Sequence, residues 1–378
     1  MHDFVALAVC ATHSETTDAM SVTLAVPEAM KDVFRFKAGQ HLAVRAKLDG
    51  EDLRRTYSIC SHSIGSETGN PTLTITIKRI AGGRFSNWAL DNLTAGMSLD
   101  ALPPSGRFIL PDDLGDKAHI LAIAAGAGIT PIVAIAEHAL RHHARTRFTL
   151  IYGNRDPEST IFRTRIEDIK DTYLSRFTIF HFLSRSHDSE TPLLEGRITP
   201  AKIQAMAGRL FDISDIDHAY LCGPGAMIRD LRKTLLQLGL PRDRVHQEFF
   251  APVGAAAVPR QPQTTLRSEA AQQPAGADLN VSTNTDTAEI VAIIDGIRHR
   301  FSARSDEPIV DAALRAGIRA PYACKGGMCS TCRARVIEGH TRMRANYSLE
   351  PWELEKGFVL TCQALAESDH VVVDFDDM

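Results

Sequence analysis

The sequence lacks a surplus of either charge: 42 Lys and Arg stand against 46 Asp and Glu over 378 residues, a formal net charge of −4. Its basic residues are scattered singly or in pairs, so no polyelectrolyte face is offered to a phosphate backbone, and nucleic acid is excluded as a partner. No secretory leader is expected either. Met1-His2-Asp3 is followed by Phe4-Val5-Ala6-Leu7-Ala8-Val9, with no basic leader and too little apolar length before any cleavage site. One long apolar run, Ala118 to Ala136, is almost long enough to span a bilayer, but it contains His119, Gly126, Gly128, Thr130 and Pro131. It reads better as a buried strand, a glycine turn and a helix start. No membrane is expected, and the chain is expected to be cytoplasmic. Internal repeats are absent. So is a disulfide framework, because seven cysteines is an odd count and four of them crowd into the last sixty residues.

What is present is enough apolar material, 44% of the residues, to build real cores, and a length that predicts two or three globular units. Residues 1–112 alternate short apolar runs (Phe4–Val9, Val22–Val26, His41–Ala46, Leu73–Ile77) with the turn signals Gly39, Asp49-Gly50, Gly69-Asn70-Pro71 and Gly82-Gly83. That spacing predicts a small antiparallel β-barrel. Between 113 and 250 the pattern becomes strand and helix in alternation. Ile120–Ile123, Phe148–Tyr152, Phe177–Leu183 and Ala219–Leu221 read as strands, and Pro131–His143, capped by Thr130, and Ala226–Leu238 read as helices. A doubly wound parallel α/β sheet is predicted. Residues 251–287 are rich in Ala, Pro, Gln, Thr and Ser, with no aromatic residue between Phe250 and Phe301, and read as a flexible linker. A last unit, 288–378, opens with a hairpin, Ile290–Ile294 and Ile297–Phe301 about Asp295-Gly296. It continues with a helix, Pro308–Ala316, ended by Gly317, and closes on the strand Val371-Val372-Val373.

The strongest signal is in that last unit. Cys324-x4-Cys329-x2-Cys332, with Cys362 after twenty-nine intervening residues, has the plant-type spacing of a [2Fe–2S] cluster. The glycines of Cys324-Lys325-Gly326-Gly327-Met328-Cys329 let the backbone curl and aim N–H groups at sulfur, which stabilises the extra electron of the reduced cluster. A structural zinc site is the competing reading, but such sites favour two short cysteine pairs of similar spacing.

The stretch from Cys324 to Ala364 resembles the ferredoxin domain of those members of the ferredoxin–NADP reductase superfamily that carry a C-terminal plant-type ferredoxin. The resemblance extends through the chain. Arg55-Thr56-Tyr57-Ser58 is similar to the superfamily's R-x-Y-S flavin motif, in which Arg clamps a pyrophosphate, Tyr stacks on the isoalloxazine and Ser hydrogen-bonds the ring. Gly83, Phe85 and Ser86, with Ser86 expected as the cap of the helical run Asn87–Leu93, correspond to the segment that holds the FAD pyrophosphate, and Pro104-Ser105-Gly106-Arg107-Phe108 to its barrel-closing motif. Gly126-Ala127-Gly128-Ile129-Thr130-Pro131 matches the superfamily's nucleotide turn rather than a full G-x-G-x-x-G. Arg155 and the pair Ser184-Arg185 follow two strands where a 2′-phosphate would sit, and neither strand end presents an acidic residue immediately, which favours NADPH. Cys222-Gly223-Pro224 matches the segment beside the nicotinamide, and Glu248-Phe249-Phe250 resembles the one that approaches the flavin. The resemblance implies a C-terminal β-grasp domain, a catalytic set of Ser58, Cys222 and Glu248, and FAD, NADPH and a [2Fe–2S] cluster as cofactors. It also implies a di-iron oxygenase partner acting on an aromatic acyl-CoA, with steroid hydroxylases and fatty-acyl desaturases as alternative acceptors. A redox-sensing module is the alternative of another class.

Overall fold

A computed structural model of the chain describes residues 4–61, 71–185, 192–250 and 287–377. The turn expected at Gly69-Asn70 and the linker expected at 251–287, apart from Thr287, lie outside the described residues. The chain divides into two compact units, His2–Gly254 and Ala255–Met378 with Met1.

The first unit opens with an antiparallel sheet of β1 (Val5–Thr16), β2 (Ala19–Ala25), β3 (His41–Leu48), β4 (Glu51–Ser58) and β5 (Thr72–Lys78), then α1 (Arg84–Asn92) and β6 (Ser98–Ala101), in the order β4-β3-β6-β1-β2-β5. The period-two run of β5 works as expected: Leu73, Ile75 and Ile77 are fully buried and share a core with Val22, Leu24, Phe85 and Ala89. An antiparallel bridge between Ile59 and Ile75 draws the two edge strands together and curls the sheet towards a barrel. The barrel's helix begins earlier than expected. α1 starts at Arg84 with Gly83 as its cap, and Ser86 instead turns back, its hydroxyl accepting from Ile80 N at 3.2 Å.

The second half of this unit is a parallel sheet built by β7 (His119–Ala125), α2 (Ile129–His142), β8 (Arg147–Asn154), α3 (Arg163–Thr172), β9 (Phe177–Leu183), α4 (Pro200–Met206), β10 (His218–Gly223), α5 (Gly225–Gln237) and β11 (Val245–Phe249). Strand order is β11-β10-β7-β8-β9. Both faces are covered, which explains the unbroken apolar runs. On β7, Ile120, Ala122 and Ala124 face the core of α2, whereas Leu121 and Ile123 face that of α5 through Ile228, Leu231 and Leu235. Thr130 is not the cap of α2. A 3-10 turn, Gly126–Gly128, feeds directly into a helix starting at Ile129, and the Thr130 hydroxyl donates back to Ala127 O at 3.0 Å. The turn already supplies the backbone bonds that a side-chain cap would have supplied.

The other unit contains β12 (Thr287–Ile294), β13 (Ile297–Arg304), α6 (Ile309–Arg315), β14 (Arg333–Glu338), β15 (Thr341–Met343), α7 (Pro351–Glu355), β16 (Phe358–Leu360), β17 (Ala364–Ala366) and β18 (His370–Asp374). A five-stranded sheet runs β13-β12-β18-β14-β16, with β12 and β18 parallel, and β15 pairs with β17 separately. This is the β-grasp layout, with α6 laid on the sheet through Ile309, Val310 and Ala313. Asp295 and Gly296 both take positive φ (52° and 74°), the hairpin geometry their sequence demands.

A buried ion pair ties the cysteine segment to this sheet: Arg333 Nε lies 3.0 Å from Glu353 Oε1, with Glu353 wholly buried and the Arg333 guanidinium 3.8 Å from the Phe358 ring centroid. Removing one member of such a pair costs about 3–5 kcal/mol. Glu353→Ala should therefore bleach the cluster's visible absorption at a lower temperature than in the wild type while flavin release is unchanged, as followed by absorbance during heating.

Candidate active site and metal centre

Strand β7 is where the order of the parallel sheet reverses, with β8 and β9 on one side and β10 and β11 on the other. A ligand crevice is expected at the carboxyl ends of the strands there. The glycine turn after β7 lines it. A Cβ on Gly128 would run into the backbone carbonyl of Cys222, so only glycine lets this turn lie against the end of β10. Gly126 has φ 54° and open space around its Cα, and Gly223 has φ 150°. Pro224 caps α5. Two helix N-termini and two glycine turns thus meet at one crevice, a cradle suited to a dinucleotide pyrophosphate.

Farther along the same edge, Ser184 N donates to Asn154 O (2.9 Å) and Arg185 N to Arg155 O (2.8 Å), bringing the two arginines side by side. Both side chains are exposed and have acidic partners. Arg155 Nη2 is 2.9 Å from Asp18 Oδ2, and Arg185 Nη1 is 3.8 Å from Asp156 Oδ2. Asp156, two residues past the end of β8, is therefore a carboxylate at the nucleotide edge that a reading of the strand ends alone passes over.

The barrel presents its own set. Arg55 and Tyr57 are half-buried on β4, with Tyr57 5.8 Å from Phe85 between ring centroids. Phe85 and Ser86 are buried, so what they can offer a phosphate is their main-chain amides. A Cβ on Gly83 would lie 2.6 Å from Ser86 Oγ and displace that hydroxyl from Ile80 N. Ser58, at the end of β4, donates to Glu248 Oε2 at 3.1 Å although 190 residues separate them. Glu248 pairs in parallel register with Cys222. Burial, helped by the Glu248 charge, pushes the Cys222 thiol well above its ordinary range, so it stands there as a neutral group. The sequence-predicted trio Ser58, Cys222 and Glu248 is brought together. Sequence reasoning missed His41, whose Nδ1 is 3.7 Å from Glu248 Oε1. A lone histidine at the start of an apolar strand carries no signal of its own.

In the other unit the four cysteines are gathered by a tight wrap, with Lys325, Gly327 and Ser330 all at positive φ (48°, 75° and 53°). A Cβ on Gly327 would lie 3.1 Å from Ala345 O. Gly326 N points at Cys324 Sγ (3.3 Å), Cys324 N at Cys329 Sγ (3.5 Å) and Gln363 Nε2 at Cys362 Sγ (3.8 Å). The thiols interact in two pairs. A hydrogen bond from Cys329 lowers Cys324, and one from Cys332 lowers Cys362. Among the described residues no three His, Cys, Asp or Glu side chains close on a single point that would hold one metal ion. Four thiols gathered as two pairs fit a binuclear iron centre with two ligands per iron, the centre that the x4-x2 spacing indicates.

A barrel with a flavin motif, a sheet with a nucleotide crevice and a β-grasp unit with paired thiols define a class: iron–sulfur flavoprotein reductases. Family models agree along the chain. Residues 6–109 match the oxidoreductase FAD-binding domain, 122–233 the oxidoreductase NAD-binding domain and 292–367 the 2Fe-2S iron-sulfur cluster binding domain. The chain is 40% identical over 376 residues to one of the subunits of the 1,2-phenylacetyl-CoA epoxidase of Escherichia coli K12, covering 100% of this chain and 99% of the relative. It is 31% identical to the ferredoxin reductase component of 3-ketosteroid-9-alpha-monooxygenase from Rhodococcus rhodochrous, over 98% and 97% of the two chains. Phthalate dioxygenase reductase shares the fold, with a TM-score of 0.56 at 23% identity over 98% of each chain. The chain belongs to the family of ferredoxin–NADP reductase-type reductases with a C-terminal ferredoxin domain, and it is an electron-transfer oxidoreductase.

Cys324→Ser, Cys329→Ser, Cys332→Ser and Cys362→Ser should each abolish or severely damage the cluster's visible absorption and electron paramagnetic resonance signal. FAD should stay bound in all four, and the exposed Cys10, as Cys10→Ser, should leave the cluster spectrum unchanged.

Proposed function

We propose that this chain takes hydride from NADPH and passes the electrons to a di-iron oxygenase acting on an aromatic acyl-CoA, with phenylacetyl-CoA the favoured substrate of that oxygenase. FAD accepts two electrons as a hydride and gives them up singly, and the [2Fe–2S] cluster carries one at a time. The observation that carries the hydride step is the Ser58–Glu248 hydrogen bond, which joins the flavin strand of the barrel to the last strand of the nucleotide sheet. The acceptor rests on the similarity to the epoxidase component, which runs the full length of both chains.

Each residue then has a task. Gly126, Gly128 and Thr130 hold the dinucleotide pyrophosphate at the start of α2, while Arg155, Ser184 and Arg185 take the 2′-phosphate, displacing Asp18 and Asp156 from the arginines. Cys222, Gly223 and Pro224 form the wall against which the nicotinamide lies. Arg55 and the amides of Gly83, Phe85 and Ser86 hold the FAD pyrophosphate, and Tyr57 lies against the flavin. Ser58 and Glu248 orient and protonate at the flavin edge, and the four cysteines ligate the cluster. The reading divides the chain into an FAD-binding barrel (1–112), a nucleotide domain (113–250), a linker (251–287) and a ferredoxin domain (288–378). It places the protein in the cytoplasm, supported by the finding that no helix among the described residues is long and apolar enough to cross a membrane.

Two measurements test this. Arg185→Ala should raise KM for NADPH about tenfold or more and leave KM for NADH nearly unchanged, because a charge-assisted phosphate contact is worth about 1.5–3 kcal/mol. Equal effects on both nucleotides would remove Arg185 from the phosphate site. With the E. coli phenylacetyl-CoA oxygenase component and its substrate, the full chain should oxidise NADPH in step with product formation. Flavin reduction without product, despite an oxygenase active with its own reductase, would reject this acceptor.

A further inference from the structure

His41 stands beside the hydride site and has no task in the mechanism above. It opens β3 as the cross-strand partner of Ser58 on β4. On its other side it bridges to Ser105, with His41 N donating to Ser105 O (2.8 Å) and Ser105 N to His41 O (3.0 Å). Its ring is buried. Nε2 lies 3.3 Å from Ser105 Oγ and Nδ1 lies 3.7 Å from Glu248 Oε1, while the other Glu248 oxygen accepts from Ser58. Gly106 leaves the ring little room, since a Cβ there would sit 2.8 Å from Nδ1. One carboxylate is therefore held between a hydroxyl and an imidazole, each fixed by its own strand.

We propose that His41 is a positioning residue of the hydride site: it holds Glu248 against Ser58 and, by gaining or losing a proton, sets the charge that Glu248 presents to the flavin. The proposal rests on the reading of Ser58 and Glu248 as flavin-facing. The groups that face the ring are Glu248 from β11, Ser58 from β4, and Ser105 with Gly106 from the segment that closes the barrel. Cys222 on β10, beside Glu248, stays a neutral thiol. With His41 protonated, the imidazolium and carboxylate cancel. With His41 neutral, the carboxylate charge stands alone and opposes the arrival of a hydride, which brings negative charge to the same place. Reduction is thus easier with His41 protonated.

The experiment follows the midpoint potential of bound FAD against pH by spectroelectrochemistry on the full chain, with stopped-flow reduction by NADPH in parallel. Comparing variants removes the flavin's own pH dependence. His41→Gln keeps a hydrogen-bonding side chain that does not titrate. It should match the wild type at the alkaline end of the pH range and fall below it at the acid end. Glu248→Gln should lie above the wild type on the alkaline side. Wild-type and His41→Gln curves that coincide, or that run parallel at every pH, overturn the proposal. If His41→Gln cannot hold FAD, a Glu248→Gln curve at or below the wild type on the alkaline side overturns it instead. A wild-type flavin that NADPH does not reduce rejects the hydride site itself, a separate failure read directly in the stopped-flow trace.

Discussion

A hydride moves only between atoms already in near contact, about 3–3.5 Å apart, so the barrel and the nucleotide sheet have to be locked together. Arg165 does much of this locking. From α3 its guanidinium donates to both oxygens of Glu137 on α2 (2.7 Å each) and to the backbone carbonyl of Cys60 on the barrel side (2.8 Å). The cation is mostly shielded from solvent, and loss of one partner would leave a poorly solvated charge. Around it, Ala38, Cys60, Phe108 and Leu110 pack in one core with Ile132 and Ile135 of α2, and the Tyr220 hydroxyl donates to Ile109 O at 2.9 Å. The Ser58–Glu248 contact depends on this seam, because each residue alone belongs to a different sheet.

Most of the architecture was legible because it is written in short-range patterns. The period of two in Leu73–Ile77, the unbroken apolar run of β7 and the Asp295-Gly296 turn each follow from what neighbouring residues can do. The cysteine spacing names its centre because four thiols have few ways to meet two irons. What was not legible depends on long-range register. His41 matters only because β3 lies between β4 and the Ser105 segment while β11 comes from the far end of the unit. Asp156 matters only because the backbones after β8 and β9 are joined by hydrogen bonds. The helix starts were misjudged for a local reason: a glycine in a 3-10 turn or at a cap position needs no side-chain oxygen, so Thr130 and Ser86 are free to bond backwards.

The charge pattern of the β-grasp unit is also a matter of register. Between residues 312 and 349 there are seven Lys and Arg and one acid, Glu338. Five of the cations are tied to acids outside that span: Arg315 to Glu307, Lys325 to Asp311, Arg333 to Glu353, Arg335 to Asp377 and Arg342 to Glu367. Four thiolates and two sulfides outweigh two ferric ions, so a cation-rich wrap suits the centre it encloses. Left to itself the wrap would repel its own strands. Acids on the flanking elements balance it.

The same residue type is given opposite chemistry in the two units. Cys222 lies in an apolar strand end with a carboxylate next to it, and both conditions oppose a thiolate. It can fill space against a nicotinamide without attacking it. Cys362 is buried as well and Cys324 partly so, but neighbouring thiols and backbone amides point at their sulfurs and favour the anion. Burial does not separate an inert sulfur from a ligand here. The direction of the nearest N–H and S–H groups does, and in the cluster loop that direction is set by the turns that Lys325, Gly327 and Ser330 make at positive φ.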